Sequence, residues 1–180
     1  PSLPYFGFQL VIPISTTVTL NEDEIFFIRH VDDEALGLNN SANDKLEIFT
    51  VNVPKLENST SNINNDSIIK SEIIVSDFTS NISGYTSFSG IPDVDGTALD
   101  PLRELIMNFP ETRKIGNNIF TVLTWISNKL NSNIDVHTEV VWAVLQYVNG
   151  TWSLFQEGRI SDDVKSFWMP SINIDDVGNI

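Results

Sequence analysis

The densest group of chemically capable side chains follows a short apolar run: Arg29, His30, Asp32, Asp33 and Glu34. Carboxylate oxygens are the ligands that calcium prefers, and a histidine beside acids can act as a general acid or base. Alternation along a strand would put Asp32 and Asp33 on opposite faces, so both can serve one ion only if the chain turns there. The pattern therefore offers two interpretations, a divalent-cation site at Asp32, Asp33 and Glu34 or a solvated, salt-bridged turn, and we favour the turn.

A second acidic stretch, DVDGTALD, contains Asp93, Asp95 and Asp100. Aspartates at alternate positions before a glycine turn can wrap a hard cation. The stretch lacks the third alternately spaced aspartate and the closing glutamate of an EF-hand loop, so a polar turn is the simpler interpretation. Calcium is the one cofactor that the sequence suggests, and these three residues are its second set of candidate ligands.

Flat aromatic side chains suggest a carbohydrate platform, and the chain has four tryptophans: Trp125, Trp142, Trp152 and Trp168. All four lie in or beside predicted strands, where large aromatics usually supply core packing. Trp152 follows the tight Asn149-Gly150 turn and is the one we expect to be exposed. With Arg29 and His30 it forms the candidate ligand-binding set.

Glycoside hydrolysis needs two carboxylates that face each other across a cleft. The acids available for that role are Asp32, Asp33, Glu104, Glu157 and Asp175. Nothing in their spacing brings any two together, so the catalytic residues stay unassigned and we favour a non-enzymatic role. Asp175 is predicted to tie a tight turn through hydrogen bonds to backbone N–H groups.

The bulk composition excludes several classes of function. The net charge is −14 at pH 7, and no patch of basic residues is visible to bind the phosphates of nucleic acid. The chain has no cysteine, which excludes disulfides, thiol catalysis and cysteine-based zinc sites. No apolar run approaches the roughly 20 residues of a membrane-spanning helix. A length of 180 residues is sufficient for one domain with a substantial core.

Most apolar runs are short, rich in β-branched and aromatic residues, and interrupted by Asn, Asp, Gly and Pro, which is typical of an all-β protein. The predicted strands cover residues 5–12, 24–30, 45–53, 71–78, 105–109, 118–127, 138–148, 151–160 and 171–174. Pro110 is expected to end any helix that begins near Pro101, so residues 105–109 are predicted to form a strand. Asn149-Gly150 is a strong hairpin signal between the seventh and the eighth.

Each half of the chain thus contains four consecutive strands joined as an up-and-down meander. Repetition of such meanders predicts a β-propeller-like fold. We expect residues 1–180 to form a single β domain that is a fragment of a larger propeller. The first blade is predicted at residues 5–80, the second at 101–160, and the start of a third at 167–180. The same pattern permits a β-sandwich, which remains the alternative.

Several segments also resemble a known group of proteins. FFIRHVDDEA, DKLEIFTVNV, TALDPLREL, TWSLFQEG and FWMPSINIDDVGNI appear in this order. Their order and spacing resemble those of large, secreted or surface-exposed, mostly uncharacterised bacterial proteins with β-propeller-like repeats. The stretch GNNIFTVLTWISNKL departs from that group, because it lacks the His-Glu-Ser and Asn-His elements expected there. The resemblance implies export and a propeller-like fold, and it implies no particular reaction.

Three hypotheses about function follow. The first is an extracytoplasmic binding or scaffold module of a larger secreted or cell-surface protein, which presents loops to a glycan or protein partner. The second is part of a propeller glycoside hydrolase or lyase that uses paired carboxylates. The third is an assembly subunit whose open sheet edge pairs with neighbouring chains or with the remaining blades.

Overall fold

A computed structural model gives the architecture of most of the chain. It describes residues 9–11, 23–36, 43–57, 67–82, 90–92, 95–101, 105–129 and 137–180. Within these ranges the chain forms two four-stranded antiparallel sheets and one two-stranded hairpin.

The first sheet is an up-and-down meander of β1 (Gln9–Val11), β2 (Glu24–Val31), β3 (Lys45–Asn52) and β4 (Ile68–Ile74). Its side chains alternate as the sequence predicts. Leu46 and Ile48 point into the core, whereas Glu47 between them joins ion pairs on the outer face. Val31 at the end of β2 pairs with Lys45 at the start of β3, so the residues that flank these two positions lie close together.

Short elements occupy the connections. A turn of 3-10 helix (Glu34–Leu36) follows β2, and the one-turn helix α1 (Val53–Glu57) follows β3. Asn52 Oδ1 accepts the backbone N–H of Lys55 at 3.1 Å, a side-chain cap that marks the change from strand to helix. The two strands β5 (Ile91–Pro92) and β6 (Ala98–Leu99) form a small hairpin that the sequence did not predict.

The second sheet repeats the meander with β7 (Met107–Ile115), β8 (Asn118–Asn128), β9 (Thr138–Val148) and β10 (Thr151–Ile160). A two-residue turn with Gly116 at φ +62° joins β7 to β8. The Asn149-Gly150 turn joins β9 to β10 with φ values of 50° and 82°, the positive angles that the predicted hairpin requires.

The two sheets pack face to face, and the main core lies between them. Phe26 of β2 meets Tyr147 and Trp152 of the other sheet edge-on, with ring centroids 5.8 Å apart in both pairs. Strand β1 lies beside β7 and β4 lies beside β10, so the strands of one sheet follow the same order as those of the other. Burial of both apolar inner faces is what holds the layers together.

A third layer covers part of the outer face of the second sheet. Ile174 in the C-terminal segment, residues 167–180, is buried against Val122 and Val144. Beyond it Asp175 accepts the N–H groups of Val177 at 3.0 Å and Asn179 at 2.8 Å. The predicted structural role of this aspartate as the tie of a tight turn is therefore confirmed.

Three predictions about strands are wrong. Strand β7 continues through Pro110 to Ile115, because the strand lies at a sheet edge and its pairing is irregular between Met107 and Glu111, where a residue without an N–H is tolerated. Strand β4 ends at Ile74 instead of Phe78. Residues 171–174 form no strand, since they lie across the outer face of the second sheet without pairing.

The all-β prediction is confirmed, and the two four-stranded meanders appear in the predicted halves of the chain. Both sheets are open. Face-to-face packing of two meanders is common to neighbouring propeller blades and to β-sandwiches, so the propeller assignment and the blade limits stay predictions.

Candidate functional site

Four carboxylates converge where β2 ends and β3 begins. Asp32, Asp33 and Glu34 follow β2, Asp44 precedes β3, and one carboxylate oxygen from each lies within 4.8 Å of the others. The chain leaves the strand conformation after Val31 and enters the 3-10 turn, which removes the alternation that would have separated Asp32 from Asp33. The three acids that the sequence nominated as one set of cation ligands are thus brought together.

Backbone donors hold two of these acids in place. Asp32 Oδ1 accepts the N–H of Ala35 at 3.1 Å, and its Oδ2 accepts both the N–H and the hydroxyl of Ser80 at 2.6 and 2.7 Å. Asp44 Oδ1 accepts the N–H of Asp33 at 2.9 Å, and its Oδ2 accepts the N–H of Phe78 at 2.6 Å. The oxygens of Asp32 and Asp44 are therefore fixed in direction before any ligand arrives.

The other two acids are poorly satisfied. Asp33 is 2% exposed, and neither of its carboxylate oxygens has a hydrogen-bond partner. One oxygen of Glu34 is likewise buried without a partner. Burial, followed by the nearby carboxyl group of Asp33, raises the pKa of Glu34 to about 7. Burial also raises the pKa of Asp44 to about 7, against the two N–H donors that favour its charged form.

The cluster is covered by residues 75–82, which we call the bridging segment. This segment binds the acids through Phe78 and Ser80, and it then reaches the second sheet, where Thr79 pairs with Asn128 and receives a hydrogen bond from it at 2.7 Å. Ser76 in the same segment donates to Glu157 of β10 through its hydroxyl at 2.5 Å. The acids consequently lie at the point where the bridging segment ties one sheet to the other.

The predicted ligand-binding set does not assemble. Arg29 points to the outer face and pairs with Glu47, with Nη2 and Oε2 at 2.5 Å. Trp152 is 7% exposed and packs in the core, so the expectation that it would be the exposed tryptophan is wrong. Its place in β10 on the core-facing side, opposite Tyr147, outweighs its nearness to the turn.

His30 points into the core between Phe78 and Trp125, with ring centroids at 5.3 and 6.0 Å. Burial lowers the pKa of His30 to about 4, although the charge of Asp32 and the backbone of Leu105 act in the opposite direction. The ring is therefore neutral at pH 7. It is not among the residues whose ligand atoms converge, so a role as cation ligand is not supported.

The second predicted acidic site is not formed by the residues that the structure describes. Asp95 is exposed and accepts the N–H of Thr97 at 2.8 Å, the local bond of a polar turn. Asp100 is also exposed and belongs to no cluster of ligand atoms among the described residues. Asp93 lies outside the described residues.

Asp44 is the member of this candidate site that sequence reasoning missed. It stands eleven positions after Asp33, beyond a polar connection, and nothing in its immediate neighbours marks it. The available signal was its place directly before a confidently predicted strand. In an antiparallel pair, the residue before the second strand lies beside the residue after the first.

Two grooves flank the C-terminal segment on the outer face of the second sheet. The larger, of about 530 Å³, is lined by apolar and aromatic residues that include Trp142, Ile160, Phe167 and Trp168. The smaller, of about 250 Å³, is lined by residues such as Phe120 and Phe155. Among the residues that the structure describes, none that lines either groove is acidic.

Comparisons with protein-family models, with curated proteins and with solved structures gave no match. Within the described residues, no helix combines the length and apolar character that crossing a membrane requires. The geometry of the chain itself is therefore the basis for any assignment of function. That geometry consists of four convergent carboxylates where the two sheets are joined, three of them buried and two held by hydrogen bonds, and of apolar grooves on one outer face.

Proposed function

We propose that the chain is a binding or scaffold module of a larger extracytoplasmic protein, in which the loops and outer faces of stacked sheets contact a glycan or protein partner. The strongest support is that the four convergent carboxylates do not line the two grooves on the outer face of the second sheet. Three of the four convergent carboxylates are buried, and the bridging segment binds two of them, whereas the surface grooves are lined mainly by apolar and aromatic side chains. Such grooves suit contact with a partner better than acid–base chemistry.

The finer architecture we propose is a propeller-like succession of sheets. Its support is that both meanders have the same strand order and stack with β1 beside β7 and β4 beside β10. The C-terminal segment lies on the outer face of the second sheet, which is where a further sheet of such a succession would pack. A β-sandwich remains the alternative architecture.

The two competing functions receive less support. A glycoside hydrolase needs two carboxylates that face an accessible cleft, whereas Asp32 and Asp44 are bonded to the bridging segment instead. Assembly through an edge strand at residues 171–180 needs a strand there, and these residues form none.

A binding screen with groove variants tests the proposal. The purified chain is screened against a glycan array and a peptide library, together with Trp168→Ala and a matched control, Phe109→Ala, which removes an exposed aromatic that lines neither described groove. We expect a ligand whose binding Trp168→Ala weakens at least about tenfold and Phe109→Ala leaves unchanged. Release of sugar from any arrayed glycan, or a ligand indifferent to Trp168, would contradict the proposal.

A further inference from the structure

The four convergent carboxylates concentrate negative charge without a basic partner. Among the described residues, no lysine or arginine forms an ion pair with Asp32, Asp33, Glu34 or Asp44. Buried carboxylates are normally paired, hydrogen-bonded or bound to metal, because leaving their charge uncompensated is costly. A bound cation would compensate the charge that remains on the cluster.

The carboxylate of Asp33 indicates where a cation would bind. Its side chain is almost completely buried and is aimed at the other three carboxylates, yet both of its oxygens lack any hydrogen-bond partner. Its neighbours Asp32 and Asp44 accept five hydrogen bonds between them. A buried carboxylate that accepts no hydrogen bond, beside two carboxylates that are held by donors, is available as a ligand for an ion.

The spacing of the oxygens fits a single ion. Calcium binds oxygen at about 2.3–2.6 Å, so two ligands on opposite sides of one ion are roughly 5 Å apart. The four ligand atoms all lie within 4.8 Å of one another, which is inside that span. Oδ1 of Asp32 and both carboxylate oxygens of Asp44 accept one hydrogen bond each, so each of these three oxygens keeps a lone pair for an ion.

The donor set also identifies the class of ion. Zinc prefers histidine and cysteine, but the chain has no cysteine and neither histidine belongs to the cluster. Magnesium usually keeps several waters and uses one or two carboxylates, whereas four converge here. We propose that Asp32, Asp33, Glu34 and Asp44 form a calcium site, which holds the bridging segment against the first sheet.

The site has a structural consequence that goes beyond the proposed binding role. Asp32 and Asp44 are at once ligands of the ion and acceptors for Ser80 and Phe78 of the bridging segment. An ion that fixes these two carboxylates also fixes the segment that reaches Asn128 of the second sheet. Because the site exists only in the folded chain, the free energy of calcium binding adds to the stability of the sheet pair.

Isothermal titration of the chelator-stripped chain with CaCl₂ tests the site. Asp33→Asn is the informative variant, because Asp33 accepts no hydrogen bond in the fold and its replacement leaves the hydrogen bonds of the cluster intact. We expect the wild type to bind one calcium ion and Asp33→Asn to bind it at least about tenfold more weakly. Asp95→Asn, an exposed aspartate from the second predicted site, should bind calcium like the wild type.

Thermal unfolding provides a second readout that does not depend on any variant. Calcium in excess over the chelator should raise the Tm of the wild type by about 5 °C, and magnesium should raise it less. The proposal is overturned by an absence of both heat and Tm shift at about 10 mM calcium, by equal calcium affinity in Asp33→Asn and the wild type, or by tighter binding of magnesium than of calcium. Loss of calcium binding in Asp95→Asn would likewise place the ion elsewhere.

Discussion

The Oδ1 atom of Asp44 lies 2.9 Å from the backbone nitrogen of Asp33 and accepts its hydrogen bond. This contact ties the turn after β2 to the start of β3, while the other oxygen of Asp44 reaches the N–H of Phe78 at 2.6 Å. The two aspartates thus have different roles although their carboxylates are neighbours. The carboxylate of Asp44 is a structural acceptor as well as a candidate ligand, whereas the carboxylate of Asp33 accepts no hydrogen bond.

This difference predicts opposite responses to substitution when calcium is absent. Asp44→Ala should lower the free energy of unfolding by about 1–3 kcal/mol, because two buried N–H donors lose their acceptor. Asp33→Asn should leave that free energy unchanged or raise it, since a buried charge without partners is removed. Urea unfolding followed by tryptophan fluorescence in chelator measures both variants, and equal destabilisation of the two would show that their roles are not distinct.

The ion pairs on the outer face of the first sheet predict a dependence of stability on acid pH. Hydrogen bonds from Lys70 and then Lys45 lower the pKa of Glu72 to about 2. Because the folded-state pKa lies below the unfolded value, this stabilisation is complete above about pH 4.5 and is lost as the pH falls towards 2. The side chains of Glu72 and Lys70 are 40% and 44% exposed, so solvent screening keeps the effect below about 1 kcal/mol.

Glu72→Gln tests this dependence directly. The variant should be less stable than the wild type at pH 6, and the difference should disappear near pH 2, as measured by urea unfolding at each pH. Addition of about 0.5 M salt should reduce the difference at pH 6, since the pair is partly exposed. A difference that persists at pH 2 would mean that packing of the side chain, and not its charge, is responsible.

Close packing of Trp142 on Gly158 predicts a second stability effect. A Cβ atom at position 158 would lie 2.5 Å from Cζ2 of the indole ring, closer than real contacts allow. Gly158→Ala should therefore cost about 1–3 kcal/mol in the free energy of unfolding. In the background of Trp142→Leu the same change should cost much less, and a double-mutant cycle by chemical unfolding measures the coupling. Additive costs would show that the ring is not the obstacle.

Calcium should also change the dynamics of the bridging segment. The N–H groups of Phe78 and Ser80 donate to candidate ligands of the ion, so their hydrogen exchange should slow when calcium is added. Hydrogen exchange at Val177 and Asn179 provides the internal control, because their backbone N–H groups donate to Asp175, which is not part of the cluster. If calcium binds but hydrogen exchange at residues 75–82 does not slow, the ion does not stabilise the bridging segment that joins the two sheets.

Local sequence pattern was sufficient for most of the fold. The limits of β9 and β10 and the turn between them follow from alternation and from the Asn149-Gly150 pair, which are properties of neighbouring residues. The pattern could not anticipate that β7 would pass through Pro110, because tolerance of a proline depends on whether the strand lies at an edge. The position of β7 at the edge depends on the order of strands in the whole sheet, which the sequence of one strand does not reveal.

The candidate site was predictable in part for the same reason. Asp32, Asp33 and Glu34 are adjacent in the chain, so their types alone nominated them. The fourth acid, Asp44, and the donors from Phe78 and Ser80 come from distant positions that only the strand pairing brings near. Strand alternation predicts that the side chains of Arg29 and His30 point to opposite faces of β2. It does not show which face the second sheet covers, and that decides that Arg29 forms an ion pair on the outer face whereas His30 is buried in the core.

Anomalous diffraction from crystals of the chain soaked with terbium, a calcium analogue with a strong anomalous signal, tests the central claim most directly. We predict one strong peak bonded at about 2.3–2.6 Å to a carboxylate oxygen of Asp33 and to oxygens of at least two of Asp32, Glu34 and Asp44. Crystals of Asp33→Asn soaked in the same way should lose that peak. A strong peak only at other acids, or none at this cluster in well-ordered crystals, would contradict the claim that these four residues form a cation site.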